Sequence, residues 1–212
     1  MAARSGVTRR PSYLERRWPE SDDFIRLAVK WGENASAQLL TYVWVAYDAL
    51  AAEVFAVDPP TGDDESLERS ITQLLEPRIR AAMTGWEPFQ VQHGPYEYET
   101  RSRAPAQPPA YDIAFFLVAR PRLMWPLEAK VLRTDRAVAL YVAAVRNEFL
   151  TCRSSPFSSQ AGMLGYLVAG NPQRAFAAIE RATRYRLAAH PHFHDRPHRI
   201  SDHVRKVPQG KP

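Results

Sequence analysis

Apolar residues recur at helical spacing through the first third of the chain and alternate at strand spacing through its middle. A first helix is predicted from about Ser21, with Asp22 and Asp23 in the turn where negative charge suits the helix dipole. Phe24, Leu27, Ala28 and Trp31 form its apolar side, and Gly32 predicts a break before a second helix over 35–57. A third helix is predicted over 64–83, where Ile71, Leu75, Ile79 and Ala82 make one stripe and Pro77 predicts a kink or split. Glu68 falls inside that stripe, whereas Ser66 points away from it and Glu65 lies on its flank.

Period-two alternation predicts strands over 89–93 and 96–100, a proline-rich loop over 102–109, and two further strands over 112–118 and 126–132. Thr134 or Asp135 can cap a helix whose apolar side carries Tyr141, Val142, Val145 and Phe149. Ser158 or Ser159 introduces another predicted helix through Ala169, with Gly162 and Gly165 allowing it to approach the sheet closely. A last helix is predicted over 173–188 and a short strand over 200–204. The expected organisation is a flexible basic arm (1–20), an N-terminal helical extension (21–60), an α/β core (61–189) and a polar tail with an edge strand (190–212).

Composition changes this picture little. With 212 residues the chain can bury one sizeable core, and its 28 Lys+Arg against 23 Asp+Glu give +5, compatible with a polyanionic partner. Cys152 is the single cysteine, which excludes an intrachain disulfide and suits a reducing compartment. The most apolar stretch, 39–57, carries Asp48 and Glu53 and is expected to be a buried helix rather than a membrane span. A cytoplasmic protein is expected.

The candidate chemistry lies in two apolar strands. One opens with Asp112, and the next carries Glu128-Ala129-Lys130. A hairpin centred on Arg120-Pro121 pairs residues whose numbers sum to about 240, which sets Asp112 opposite Glu128. Glu128 and Lys130 then share a face. Two carboxylates so close repel unless a cation sits between them, and hard oxygen donors suit Mg²⁺ or Mn²⁺. The bland alternative is a buried Asp112–Lys130 salt bridge in an unrelated sheet.

An acid at a strand start, an E-x-K triplet on the next strand and a glutamate on a preceding helix together resemble the PD-(D/E)XK, restriction-endonuclease-like nuclease superfamily. The resemblance covers about 65–169. It implies a restriction-endonuclease-like core, a mixed sheet flanked by helices, and Mg²⁺-dependent hydrolysis of DNA, with Mn²⁺ as a substitute. Position by position, it implies Asp112, Glu128 and Glu68 as metal ligands and Lys130 as the catalytic lysine. Tyr111 stands where the motif's naming proline would be. The run Gln160 to Tyr166 is similar to the glutamine-to-tyrosine helix motif of the RecB-like branch, with looser spacing, and marks Gln160 as a nucleic-acid contact. In style the chain is similar to small nucleases of bacterial anti-phage defence systems. That implies DNA as partner, with a helicase, an ATPase, another defence subunit or a second copy as further partners. A non-cleaving subunit of the same fold is the alternative, since the chain has no phosphate-cradling glycine loop of its own.

Arg174, Arg181 and Arg184 are spaced to share one helix face and could grip a phosphate backbone. His190, His192, His194, His198 and His203 could chelate zinc, but Pro191 and Pro197 interrupt them and a solvated tail is expected instead. His203 is the histidine expected to contact phosphate. Trp125, Tyr141 and Tyr166 fit apolar periodicity and are expected in the core.

Overall fold

A computed structural model describes residues 22–58, 61–97 and 109–207. The arm expected over 1–20 lies outside them. The first element is one uninterrupted helix, α1 (Asp22–Leu50), extended by a π-helical turn, Ala51–Phe55. The break expected at Gly32 does not occur. A helical glycine costs only about 1 kcal/mol, and α1 buries Ala28, Ala35, Leu39, Leu40, Val43, Ala46 and Leu50. Each buried leucine or valine is worth about 2 kcal/mol, so burial wins. Gly32 faces the hydroxyls of Ser158 and Ser159, which would lie 3.9 and 3.7 Å from an added Cβ.

Helix α2 (Asp64–Ala82) is capped by Asp63, whose carboxylate accepts from the Ser66 N–H at 2.9 Å. Its buried side presents Leu67, Ile71, Thr72, Leu75, Glu76 and Ile79. The helix continues through Pro77. That proline is exposed, as is Gln73, whose carbonyl loses its helical partner at a solvent-facing position where the loss costs little.

Four strands form a mixed sheet in the order β1 (Phe89–His93), β2 (Ile113–Leu117), β3 (Arg120–Leu132), β4 (Gly162–Leu167). β1, β2 and β3 are an antiparallel meander, and β4 lies parallel to β3. The expected hairpin register holds, with Ile113 opposite Leu127 and Ala114 opposite Pro126, up to an irregularity at Phe116/Leu117 beside the turn. Of the strand expected over 96–100, only a bridge from Tyr96 to Ala110 is present among the described residues. Between β3 and β4 run helix α3 (Ala139–Ala144) and a π-helical segment, Val145–Phe149. Neither Thr134 nor Asp135 caps α3. Asp135 is buried, accepts from the Asn171 N–H at 3.2 Å and packs against Gly170, which has φ +109°.

The helix expected over 158–169 is strand β4 instead. The run Gln160 to Gly170 has no charge to make an amphipathic helix face, and its glycines serve strand packing. A Cβ at Gly162 would collide with Leu127 Cδ2 and reach within 3.0 Å of Trp125 Cη2, so this strand start needs glycine to lie beside β3. Helix α4 (Pro172–Thr183) ends earlier than expected, at Arg184 in the left-handed region (φ 64°). β5 (Ala188–Ala189) and β6 (Arg199–Ile200) then pair, and the strand expected over 200–204 is confined to Ile200.

One apolar cluster unites α1 (Leu39, Leu40, Val43, Leu50), α2 (Ile71, Leu75, Ile79), one sheet face (Phe89, Val91, Ile113, Phe115, Trp125, Leu127) and Phe193. A second joins Leu132 to Val142 of α3 and Ala175 and Ile179 of α4. The sheet is thus flanked by helices, a mixed α/β architecture. The tail, expected to be solvated, is so only in part: His192 and His194 are exposed, but other residues pack. His190 and Phe193 are buried, and His198 stacks on Phe193 (ring centroids 5.0 Å apart) while its Nδ1 accepts from Trp44 Nε1 at 3.2 Å. No described helix is long and apolar enough to cross a membrane.

Candidate active site

β2 begins at Ile113, opposite Leu127, but β3 runs on to Leu132. From Glu128 onward, among the described residues, the β2-side edge of β3 therefore has no neighbouring strand. An unpaired buried amide there would cost about 1–3 kcal/mol. A carboxylate takes the place of the missing strand at Ala129. Asp112 Oδ2 accepts from the Ala129 N–H at 2.7 Å, and Glu68 reaches the same edge from α2, accepting from Lys130 Nζ at 3.0 Å.

Lys130 occupies the centre of this notch. Its Nζ donates to Glu128 Oε1 at 2.8 Å, Glu68 Oε1 at 3.0 Å and the Ala129 carbonyl at 2.5 Å. The side chains of Glu68, Glu128 and Lys130 retain 22, 19 and 19 % exposure, so the cluster is screened but open to solvent. The structure thus brings Asp112, Glu128, Lys130 and Glu68 together at one strand end, from positions up to 62 residues apart.

Two contacts that sequence reasoning missed hold Glu68 over the notch. Arg133, just past β3, donates to Asp64 Oδ1 at 2.5 Å and also to the Gly62 carbonyl, pinning the first turn of α2. One turn beyond Glu68, the buried Thr72 hydroxyl meets the Tyr166 hydroxyl at 3.0 Å, joining α2 to β4. The signal for the second was a threonine within an apolar stripe. Beside Asp112, the buried Tyr111 hydroxyl donates to Glu97 at 2.5 Å and accepts from the Ser155 N–H at 2.6 Å. No local pattern announces that pairing, because its partners are 14 and 44 residues away.

Electrostatics follow from three carboxylates facing one ammonium. Burial, then the charges of Asp112 and Glu68, push Glu128 up to about 7 against the opposing pull of Lys130. Burial and Asp112 likewise raise Glu68, and Lys130 only partly offsets them. For Lys130, burial favours the neutral form, but Glu128, Glu68 and Asp112 outweigh it and raise its pKa. The lysine is therefore a cation and hydrogen-bond donor at neutral pH, unsuited to act as a base.

Among the described residues, no three acidic, histidine or cysteine side chains stand ready as a metal cage. The cluster nonetheless fits a divalent cation in kind: its donors are carboxylate oxygens, and burial, with the neighbouring carboxylates adding to it, raises Glu128 and Glu68. Asp112, Glu128 and Glu68 are the residues that would hold it.

The other expected contacts lie apart from this cluster, with no hydrogen bond or ion pair to it among the described residues. Arg174 and Arg181 are exposed on α4, but Arg184 is the residue that ends the helix and does not continue their face. Gln160 is half-buried just before β4, its backbone bracketed by the Ser158 hydroxyl, and not on a helix. His203 packs edge-on to Tyr185 (4.2 Å) with Nε2 on the Ser201 hydroxyl at 2.7 Å. His190 and His198 adjoin (4.9 Å), yet no third ligand joins them among the described residues. Fold and site together define a mixed α/β protein with a carboxylate–lysine cluster at a strand notch. Comparison with protein-family models, curated proteins and solved structures finds no match to this chain.

Proposed function

We propose that the protein is a metal-dependent nuclease of the PD-(D/E)XK, restriction-endonuclease-like type that hydrolyses phosphodiester bonds of DNA, as an effector of bacterial anti-phage defence. The observation that carries this reading is Lys130 Nζ held between Glu128 and Glu68 where Asp112 caps the edge of β3. A mixed sheet flanked by helices, with the acids and lysine at one strand end, is the arrangement that the resemblance implies. The net charge of +5 suits a polyanionic substrate.

Mg²⁺, or Mn²⁺ in its place, would polarise the scissile phosphate and lower the pKa of a bound water. Asp112 and Glu128 would hold the ion, and Glu68, reaching over from α2, would complete the carboxylate shell. Lys130, kept protonated by its neighbours, would orient the attacking water by donating to it and would balance negative charge developing at phosphorus. The edge hydrogen bond from Ala129 to Asp112 fixes that carboxylate before substrate arrives.

The test is cleavage of supercoiled plasmid with Mg²⁺ or Mn²⁺. Lys130→Ala and Asp112→Asn should each lose cleavage by at least about 100-fold; undiminished cutting by both removes the assignment. A second reading, a non-cleaving subunit that binds nucleic acid or a partner helicase or ATPase, draws on the pairing of Lys130 with both glutamates, which leaves the ammonium satisfied without any ligand. Tight DNA binding without cutting under either metal would favour it.

A further inference from the structure

Among the described residues, the outer edge of β4 is open. β3 turns the Ala129 N–H toward β2, and the Val168 N–H bonds to the Leu132 carbonyl. In a parallel ladder this phase directs the N–H and C=O groups of Gly162, Leu164 and Tyr166 inward to β3. Met163, Gly165 and Leu167 therefore turn theirs outward. Among the described residues no hydrogen bond reaches those outward groups, and Gly165 is exposed while Met163 and Leu167 are half-buried.

Proteins usually guard such an edge with lysine, proline or a bulge. The other edge strand shows such protection, with Arg80 donating to the Val91 carbonyl of β1 at 3.4 Å. Among the described residues, the β4 edge has none. From Gln160 to Asn171 there is no charged residue and no proline, in a chain that is 24 % charged.

We infer that this edge is where two copies of the chain join, β4 pairing antiparallel with β4 about a two-fold axis at Gly165. The segment suits itself. Met163 meets the partner's Leu167, Gly165 meets the partner's Gly165, and every outward donor faces an acceptor. With no charge on either strand, self-pairing brings no like charges together. A DNA backbone would find no cation along it, and the 98–108 stretch of this chain carries Pro105 and Pro108, which lack the N–H a ladder needs.

The result is a continuous sheet in which β3 of each copy is one strand removed from the axis. Gly165 is the register partner of Lys130, so the two Lys130 Cα atoms lie about 14 Å apart, three strand spacings. The axis is normal to the sheet, so the two notches open on one face.

Light scattering of the full chain up to about 100 µM should give twice the 24.1 kDa of one copy. Hydrogen exchange should show the Met163, Gly165 and Leu167 amides protected, and losing protection on dilution. Met163→Lys puts a charge on the edge and should give monomers with unchanged circular dichroism. Met163→Pro removes one outward N–H and no bond to β3, and should do the same. A monomeric mass throughout with fast exchange at the three amides overturns the inference, as does a dimer that both variants leave intact. Neither readout involves DNA or metal, so the nuclease reading stands or falls separately.

Discussion

Asp112, Glu128 and Glu68 bring more negative charge to the notch than Lys130 balances, and the excess has a measurable sign. Glu128 has a folded pKa of about 7 against an ordinary 4.5. A carboxyl raised in this way favours the fold while protonated, so its contribution is full below about 4.5 and is lost as pH rises through 7. In EDTA, wild-type stability should therefore fall by up to about 3 kcal/mol across that window relative to Glu128→Gln. Denaturant titrations at pH 4.5, 6 and 8 measure the difference; parallel curves for the two proteins contradict it. Mg²⁺ should flatten the wild-type slope, because ligation needs the ionised carboxylate. At this scale the sequence was informative: charges inside apolar strands are costly, and a two-residue period with a hairpin sum near 240 placed Asp112 beside Glu128. Glu68 was legible as a glutamate inside an apolar stripe. Thr72 stood out as a threonine in that stripe, but its partner Tyr166, 94 residues away, and the Arg133–Asp64 ion pair, 69 residues apart, leave no periodic trace.

At the scale of elements, the instructive segment is β4. Its uncharged glycine-bearing run satisfies a helical spacing of small residues as well as a buried strand, and short apolar runs do not separate the two. What decides is tertiary: β3 offers a free edge, and only a residue without a Cβ fits against Leu127 and Trp125 at position 162. Gly162→Ala should cost about 1–3 kcal/mol by overpacking, with loss of the parallel pairing at Leu127. Urea unfolding measures it; an unchanged midpoint would mean that glycine is not what lets β4 dock. The same logic explains α1, where a glycine and its modest helical penalty were outvoted by a long buried face. It also explains the short α4, which stops where Arg184 adopts a left-handed conformation that no spacing rule signals.

At the scale of the whole molecule, helices before and after the meander pack in two clusters, α1 and α2 with one sheet face and α3 and α4 around Leu132. Leu39 and Val43 of α1 lie in the same cluster as Phe115 and Trp125 of the sheet, and Phe193 of the tail closes it. This frame makes the notch: α2 is held against β3 and β4 by apolar contacts, and its Glu68 is carried to a strand edge that β2 leaves uncovered. Mixed α/β class could be read from the order of periodicities along the chain, whereas the packing of His198 and Arg196 could not, because their partners Trp44 and Asp48 lie about 150 residues earlier. The central claim is that this frame builds a divalent-cation site. A crystal soaked in Mn²⁺ tests it most directly: anomalous density between Asp112 and Glu128 with Glu68 alongside is the predicted result, and Lys130 still bridging Glu68 and Glu128 with no manganese in the notch would contradict it.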